Sequence, residues 1–206
     1  MLILSTAYFA PIAHYHLIRK SKKRVIDGQE HFLKRSHRSR CEILGANGPL
    51  KLSIPLKKYS HKAKTEDIQI SYDEDWQSNH WKSIQSAYRN SAYFEFYEDD
   101  FKEFFNNQLT DRLVDFNALL EDRVLQLLQI EAEKVSASDH LEKESDWRKL
   151  LDQPKDKMLE NSFFPFYQQV FMKSKAFHPN LSIIDLLFNL GPASRRYLAE
   201  VKLAPV

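Results

Sequence analysis

Apolar positions follow two different periods along the chain: short β-like runs up to residue 72, and stripes at helical spacing after it. "LILST" (2–6) has the length and β-branched content of a buried strand, and "YFAPIAHYHLIRK" (8–20) turns at Pro11 into a short helix. "RVID" (24–27) reads as a second strand. "RCEILGANGPLKLSIPLKK" (40–58) carries two apolar runs around "GANGP", and its Asn47-Gly48 step supplies the positive φ that a tight hairpin needs. Pro55 pushes the second of these strands toward an edge. "DIQISY" (67–72) alternates with period two and predicts a further strand.

Beyond residue 72 the pattern becomes helical. "SNHWKSIQSAYRN" (78–90) places Trp81, Ile84 and Tyr88 on one face, with Ser78 in an N-cap position. "YEDDFKEFFNNQ" (97–108) follows, its acids at the helix opening. "DRLVDFNALLEDRVLQLLQI" (111–130) keeps Leu113, Phe116, Leu120, Val124 and Leu127 on one stripe. Residues 134–162 are polar and weakly patterned, which predicts a mobile segment. In "FHPNLSIIDLLFNLGP" (177–192), Ser182 and Asp185 form S-x-x-D ahead of an apolar run, and Gly191-Pro192 supplies a stop, so a helix begins and ends there. The expected architecture is a mixed α/β domain spanning 1–206, with a strand-rich part (1–72) and a predominantly helical part (73–206).

Composition narrows the class. With 43% hydrophobic and 13% aromatic residues and only four glycines, the chain is a folding sequence rather than a low-complexity one. No apolar run reaches the roughly 18–20 residues of a membrane span, and the first residues lack the basic start of a secretory signal, so a cytoplasmic protein is expected. One cysteine, Cys41, excludes an intrachain disulfide and cysteine-rich zinc motifs. Charge is strongly segregated. Residues 1–64 carry 14 Lys/Arg against 3 Asp/Glu, a net of +11, whereas 65–206 carry 16 against 25, a net of −9. The basic third attracts anions or simply packs against the acidic remainder. The acidic majority argues against nucleic acid as a partner, and nothing in the sequence sets an oligomeric state.

The segments "EHFLKRSHRSRCEI", "NHWKSIQSAYRNSAYFEFYEDD", "YQQVF" and "FHPNLSIIDLLFNLGP", in that order, resemble the WbqC-like family across nearly the whole chain. Members commonly sit with genes for bacterial O-antigen or other surface-polysaccharide synthesis. Transfer of an amino acid such as glycine to a sugar has been suggested for them. The resemblance implies a transferase acting on a nucleotide-linked or carrier-linked sugar, with a small anionic substrate such as a nucleotide sugar or acyl donor and no cofactor. It places Lys34, Arg38 and Arg40 in the family's basic stretch, Asp185 and Asn189 in its terminal motif, and Tyr15 in its opening turn. The chain departs from the family in "STAYFAP", where many members carry a Gln-Pro pair. A Ser-rich, Gly-containing middle segment of longer members has no counterpart in 134–162.

Each candidate has two readings. Lys34, Arg38 and Arg40, spaced i, i+4, i+6, fall on one side of an extended strand and clasp a diphosphate, or form a solvated edge. Asp185 is a reacting carboxylate, or a first-turn acid held in its charged form by free backbone N–H groups. Asn189, four residues on, shares its face and hydrogen-bonds a substrate or a loop. His31 is a further polar group for the reacting atoms, and His80 and Arg89 lie off the buried stripe of their helix, within reach of a pocket. His14 and His16 lack a third ligand at diagnostic spacing, so no metal site is expected. Cys41 is a half-buried strand residue rather than an activated thiol. With no catalytic triad, metal motif or glycine-rich phosphate loop, a non-catalytic interaction protein of a polysaccharide assembly system stays open as the alternative.

Overall fold

The computed structural model describes residues 1–21, 23–135, 146–149, 162–172 and 176–203. Most of the polar stretch 134–162 therefore lies outside the described residues, and with it the expectation of mobility there.

The chain opens as a parallel β-α-β unit. Strand β1 (Leu2–Leu4) is followed by helix α1 (Ile12–Lys20) and strand β2 (Lys23–Ile26), which pairs parallel to β1 in the register Leu2 to Arg24 and Leu4 to Ile26. A short strand β3 (Glu133–Lys134) adds to the far side of β2, also parallel. The hairpin expected around Asn47-Gly48 is formed by β4 (Arg40–Gly45) and β5 (Gly48–Ser53), with Gly48 at φ +112° where the chain reverses. Among the described residues, helices α2 (Trp76–Tyr88), α3 (Phe94–Asn106) and α4 (Leu113–Leu128) come after the hairpin and before β3, and α5 (Ile183–Leu190) with a short α6 (Ser194–Glu200) lies near the C-terminus. The strands cluster in the N-terminal part and the helices dominate the rest, a mixed α/β fold.

Two local expectations are corrected. Helix α2 begins at Trp76, two residues before Ser78, because the Asp75 carboxylate accepts the Ser78 N–H and so closes the first turn. "DIQISY" makes only isolated bridges, Leu56 with Ile70 and Gln69 with Arg112. Its alternation is nevertheless real, since Ile68 and Ile70 are buried and Gln69 is exposed. The segment runs between irregular neighbours, so it has no strand edge to extend.

The core forms around the loop after β1. Phe9, at φ 40°, inserts its ring against Phe101 and Phe105 of α3, at centroid distances of 5.7 and 6.2 Å. Phe188 of α5 meets Tyr88, Phe94 and Phe101. The 180–183 segment ties the halves together: Ile12 N–H donates to Leu181 O, Ile183 N–H to Ala10 O, and Ser182 N–H to Glu42 O. Asn180 Oδ1 accepts the Ala13 N–H at 2.8 Å, supplying the cap that Pro11 cannot give to α1.

Candidate functional site

Asp185 is 0% exposed, and its carboxylate is held by three side-chain donors. Tyr88 Oη donates to Oδ1 at 2.9 Å, while Tyr167 Oη and Gln169 Nε2 donate to Oδ2 at 2.5 and 2.9 Å. The capping expectation is corrected here. Ser182 makes no side-chain cap, because its hydroxyl donates to Phe9 O at 2.9 Å, and Asp185 points into the core rather than along the helix start. Helix α5 is apolar on nearly every side, so the first-turn acid is taken out of water with it. Burial raises the Asp185 carboxyl above its ordinary value in spite of the three donors, the reverse of the charged form expected at a helix start. The arrangement pins α5, α2 and the 163–172 segment to one another. Asn189 turns its Nδ2 to Asp185 O at 2.7 Å and lines a small polar cavity with Asn90, Ser91 and Gln169.

The basic motif does not lie on one strand. Residues 32–39 form successive turns, with Arg35 at φ 62°, and β4 begins only at Arg40. Because the chain folds back there, the three cations diverge. Arg38, 2% exposed, directs Nε and Nη2 to the two oxygens of Glu30 at 2.7 and 2.8 Å and reaches Ser5 Oγ at 2.9 Å. It is an internal clamp between β1's end and the 28–31 segment. Lys34 and Arg40 instead open into a cavity of about 470 Å³. They are joined there by Arg35 and by Lys57, Lys58 and His61 from the segment after β5, above a floor of Phe32 and Tyr59 packed edge to face at 5.2 Å. Among the described residues, no Asp or Glu lines this cavity. Of its cations only Lys57 has a described side-chain partner, a neutral one, Gln69 Oε1 at 3.4 Å.

The remaining expected residues lie elsewhere. His31 is exposed and bridges to Lys64 at the backbone, next to the basic cavity. Tyr15 is buried in the core, where burial pushes its hydroxyl well above the ordinary value. His80 is buried too. Its ring hydrogen-bonds the Ser53 backbone, its Nδ1 pairs with Tyr8 Oη at 2.9 Å, and desolvation lowers its pKa to about 4. Arg89 is exposed at the end of α2 and lines no described cavity. Cys41 is buried in β4, with its thiol pushed up by desolvation. His14 and His16 have separate partners, Glu121 at 3.1 Å and Leu198 O at 2.8 Å, and among the described residues no three ligands converge on a metal position.

A family model described as the WbqC-like protein family matches residues 6–160 and 155–197. The chain belongs to that family. Neither the curated proteins nor the solved structures gave a match. The matched span of this WbqC-like chain includes the basic cavity, the Arg38–Glu30 clamp and the Asp185 cluster.

Sequence reasoning missed the side chains that complete the basic cavity. Arg35 lies within the quoted segment "EHFLKRSHRSRCEI", and Lys57, Lys58 and His61 within the basic first third, but their convergence depends on the hairpin returning β5 beside the 32–39 turns. It also missed a second cavity of about 540 Å³ outside the carboxyl ends of β1 and β2, lined by Thr6, Gly28, Gln29, Glu66 and Asn117 among others. The signal for that one was available, since a β-α-β start predicts a crevice beyond the strand ends.

Proposed function

We propose that this protein is a cytoplasmic transferase of bacterial surface-polysaccharide synthesis, and that its basic cavity holds the phosphates of an anionic donor such as a nucleotide sugar or acyl-nucleotide. The observation that carries the reading is the convergence of Lys34, Arg35, Arg40, Lys57, Lys58 and His61 on one cavity that no carboxylate of the described residues lines. Like charges gathered without compensation repel one another, and a bound diphosphate relieves that repulsion. The guanidinium groups of Arg35 and Arg40 supply paired donors for phosphate oxygens, and Tyr59 with Phe32 offers an aromatic surface beside them for a base or sugar ring. Arg35 holds a left-handed backbone, a conformation that costs about 1–2 kcal/mol in a non-glycine residue and that keeps its side chain at the cavity wall. Asp185 and Asn189 frame this reading as architecture: the buried carboxylate fixes α5 and the Gln169 segment, and the amide faces the neighbouring polar cavity.

The test is a thermal-shift and calorimetric series with a nucleoside-diphosphate sugar, the free nucleoside diphosphate and inorganic pyrophosphate. A ligand at 100 times its dissociation constant stabilises the protein by about 2.7 kcal/mol. Binding that weakens in Arg40→Ala and Lys57→Ala, and that falls steeply with salt, supports the reading. A folded protein blind to all three ligands overturns it.

A further inference from the structure

The small cavity bordered by Asn189 is set apart by its chemistry. At about 440 Å³ it falls within the 300–1,000 Å³ range of small-molecule sites. Its walls come from three parts of the chain: residues 90–92 after α2, residues 168–171, and Asn189 near the end of α5. The basic and strand-end cavities both carry charged side chains, whereas among the described residues no ionisable side chain lines this one. In their place stand four amides and a hydroxyl: Asn90, Gln168, Gln169, Asn189 and Ser91.

One network holds the three walls together from behind. Gln169, 0% exposed, donates Nε2 to Asp185 Oδ2 at 2.9 Å and to His178 O at 3.0 Å, and its Oε1 accepts the His178 N–H at 3.0 Å. Tyr88, the last residue of α2, donates to the same carboxylate. Tyr93 N–H donates to Phe188 O at 2.9 Å, which ties the 90–93 turn to α5. The cavity is therefore built by the fold itself, and little ordering is left for a ligand to impose.

The reachable polar groups suit hydroxyls. Asn189 gives Nδ2 to Asp185 O at 2.7 Å, and because that oxygen can only accept, the contact fixes which end of the amide is nitrogen. Asn189 Oδ1 takes no hydrogen bond and is not sealed in the core, so it is open to an incoming donor. Ser91 Oγ donates to Tyr88 O at 2.6 Å and keeps a lone pair for a second donor. Asn90 and Gln168 are exposed at the rim, and an amide both donates and accepts, as a sugar hydroxyl does. Phe171 and Val170, half-buried, add an apolar surface for the C–H face of a ring. Charged ligands fit less well. The lining lies at the C-terminal ends of α2 and α5, whose partial negative charge opposes a phosphate or carboxylate, and no described carboxylate stands there to hold an ammonium. A charge entering would lose water and gain no countercharge.

We propose that this cavity is a binding site for a neutral carbohydrate ring, with Asn189 Oδ1 and Ser91 Oγ accepting from its hydroxyls, Asn90 and Gln168 meeting its outer hydroxyls, and Phe171 against its C–H face. The site stands on its own observations and does not need the basic cavity to bind a donor.

Saturation-transfer NMR with methyl glycosides of neutral hexoses and N-acetylhexosamines, titrated to give affinities, tests it. Transfer to ring protons is expected from the wild type and, undiminished, from Lys57→Ala; its loss in Lys57→Ala would put the sugar in the basic cavity instead. Ala92→Trp fills the cavity from an exposed position, where substitution leaves folding nearly unchanged, and should abolish transfer. Asn90→Ala and Gln168→Ala, exposed as well, should each weaken binding roughly three- to tenfold. No transfer from folded wild type to any neutral glycoside overturns the proposal, as does transfer unchanged in Ala92→Trp or in both amide variants. A methyl glucuronide or glucosaminide that binds as tightly as the neutral rings overturns the choice of a neutral ligand.

Discussion

Tyr88 Oη donates to Asp185 Oδ1 at 2.9 Å while accepting the Leu44 N–H at 3.3 Å, so one hydroxyl joins α2, α5 and β4. Removing the carboxylate strands two tyrosine hydroxyls and an amide in the core. Asp185→Ala is therefore expected to cost about 3–5 kcal/mol, with Asp185→Asn costing less because it keeps an acceptor. Urea melts of both variants check this, and equal losses would remove the hydrogen-bond account.

The same carboxyl sets a pH dependence of stability. Burial holds the folded group above 3.8, the unfolded value, so the folded chain binds the proton more readily. That contribution is complete below pH 3.8 and fades as pH rises through the folded value. Relative to Asp185→Asn, the wild type should gain stability as pH is lowered from neutrality toward 3.8, measured as the difference between their melting curves at each pH.

His80 acts in the opposite sense. Its pKa falls from 6.5 in the unfolded chain to about 4 in the folded one, because desolvation keeps the ring neutral between Tyr8 and Ser53. Its contribution is present above pH 6.5 and lost as pH falls to about 4, a change of about 3 kcal/mol. His80→Gln should flatten the acid limb of the stability profile in that window. A limb of unchanged slope would show that other groups govern it.

Gly191 ends α5 at φ +53°, and a Cβ there would sit 2.4 Å from the Tyr93 ring. Gly191→Ala combines a left-handed alanine with overpacking and is expected to cost about 2–4 kcal/mol. In a Tyr93→Ala background the clash is gone and only the backbone part remains, so thermal melts of the double variant should show partial recovery.

What was legible in the sequence was what local chemistry determines. Short apolar and β-branched runs marked β1, β2 and the hairpin; Asn47-Gly48 marked its turn; and Trp81, Ile84 and Tyr88 marked the buried face of α2. The burial of "DIQISY" was legible as well, although its pairing was not, because pairing depends on what lies alongside. The sites were harder for the same reason. Asp185 looks like a first-turn acid until Tyr88, 97 residues earlier in the chain, and the Tyr167 segment are folded onto it. Asn117 looks like any helix residue until Arg38 O and Thr6 fix one end of its amide. Basic residues announce a charge but not its direction, and the turns at 32–39 decide that.

Arg38 and Arg40 make that last point measurable, since two residues of chain separate a buried clamp from a cavity wall. Arg38 is paired to both oxygens of Glu30, so Arg38→Ala leaves a largely buried carboxylate without its countercharge and should cost about 3 kcal/mol. Arg40, partly exposed and lining the basic cavity, has no described side-chain partner to lose, so Arg40→Ala should change stability by no more than about 0.5 kcal/mol. Binding should separate the pair in the other direction. Arg40→Ala is expected to weaken a nucleoside diphosphate roughly tenfold. Whatever folded fraction of Arg38→Ala survives should bind it with near wild-type affinity, because Arg38 faces Glu30 and Ser5 rather than the cavity. Calorimetric titrations at low temperature, where the weakened variant stays folded, make the comparison. Loss of binding in folded Arg38→Ala with none in Arg40→Ala would move the anion site from the cavity to the clamp.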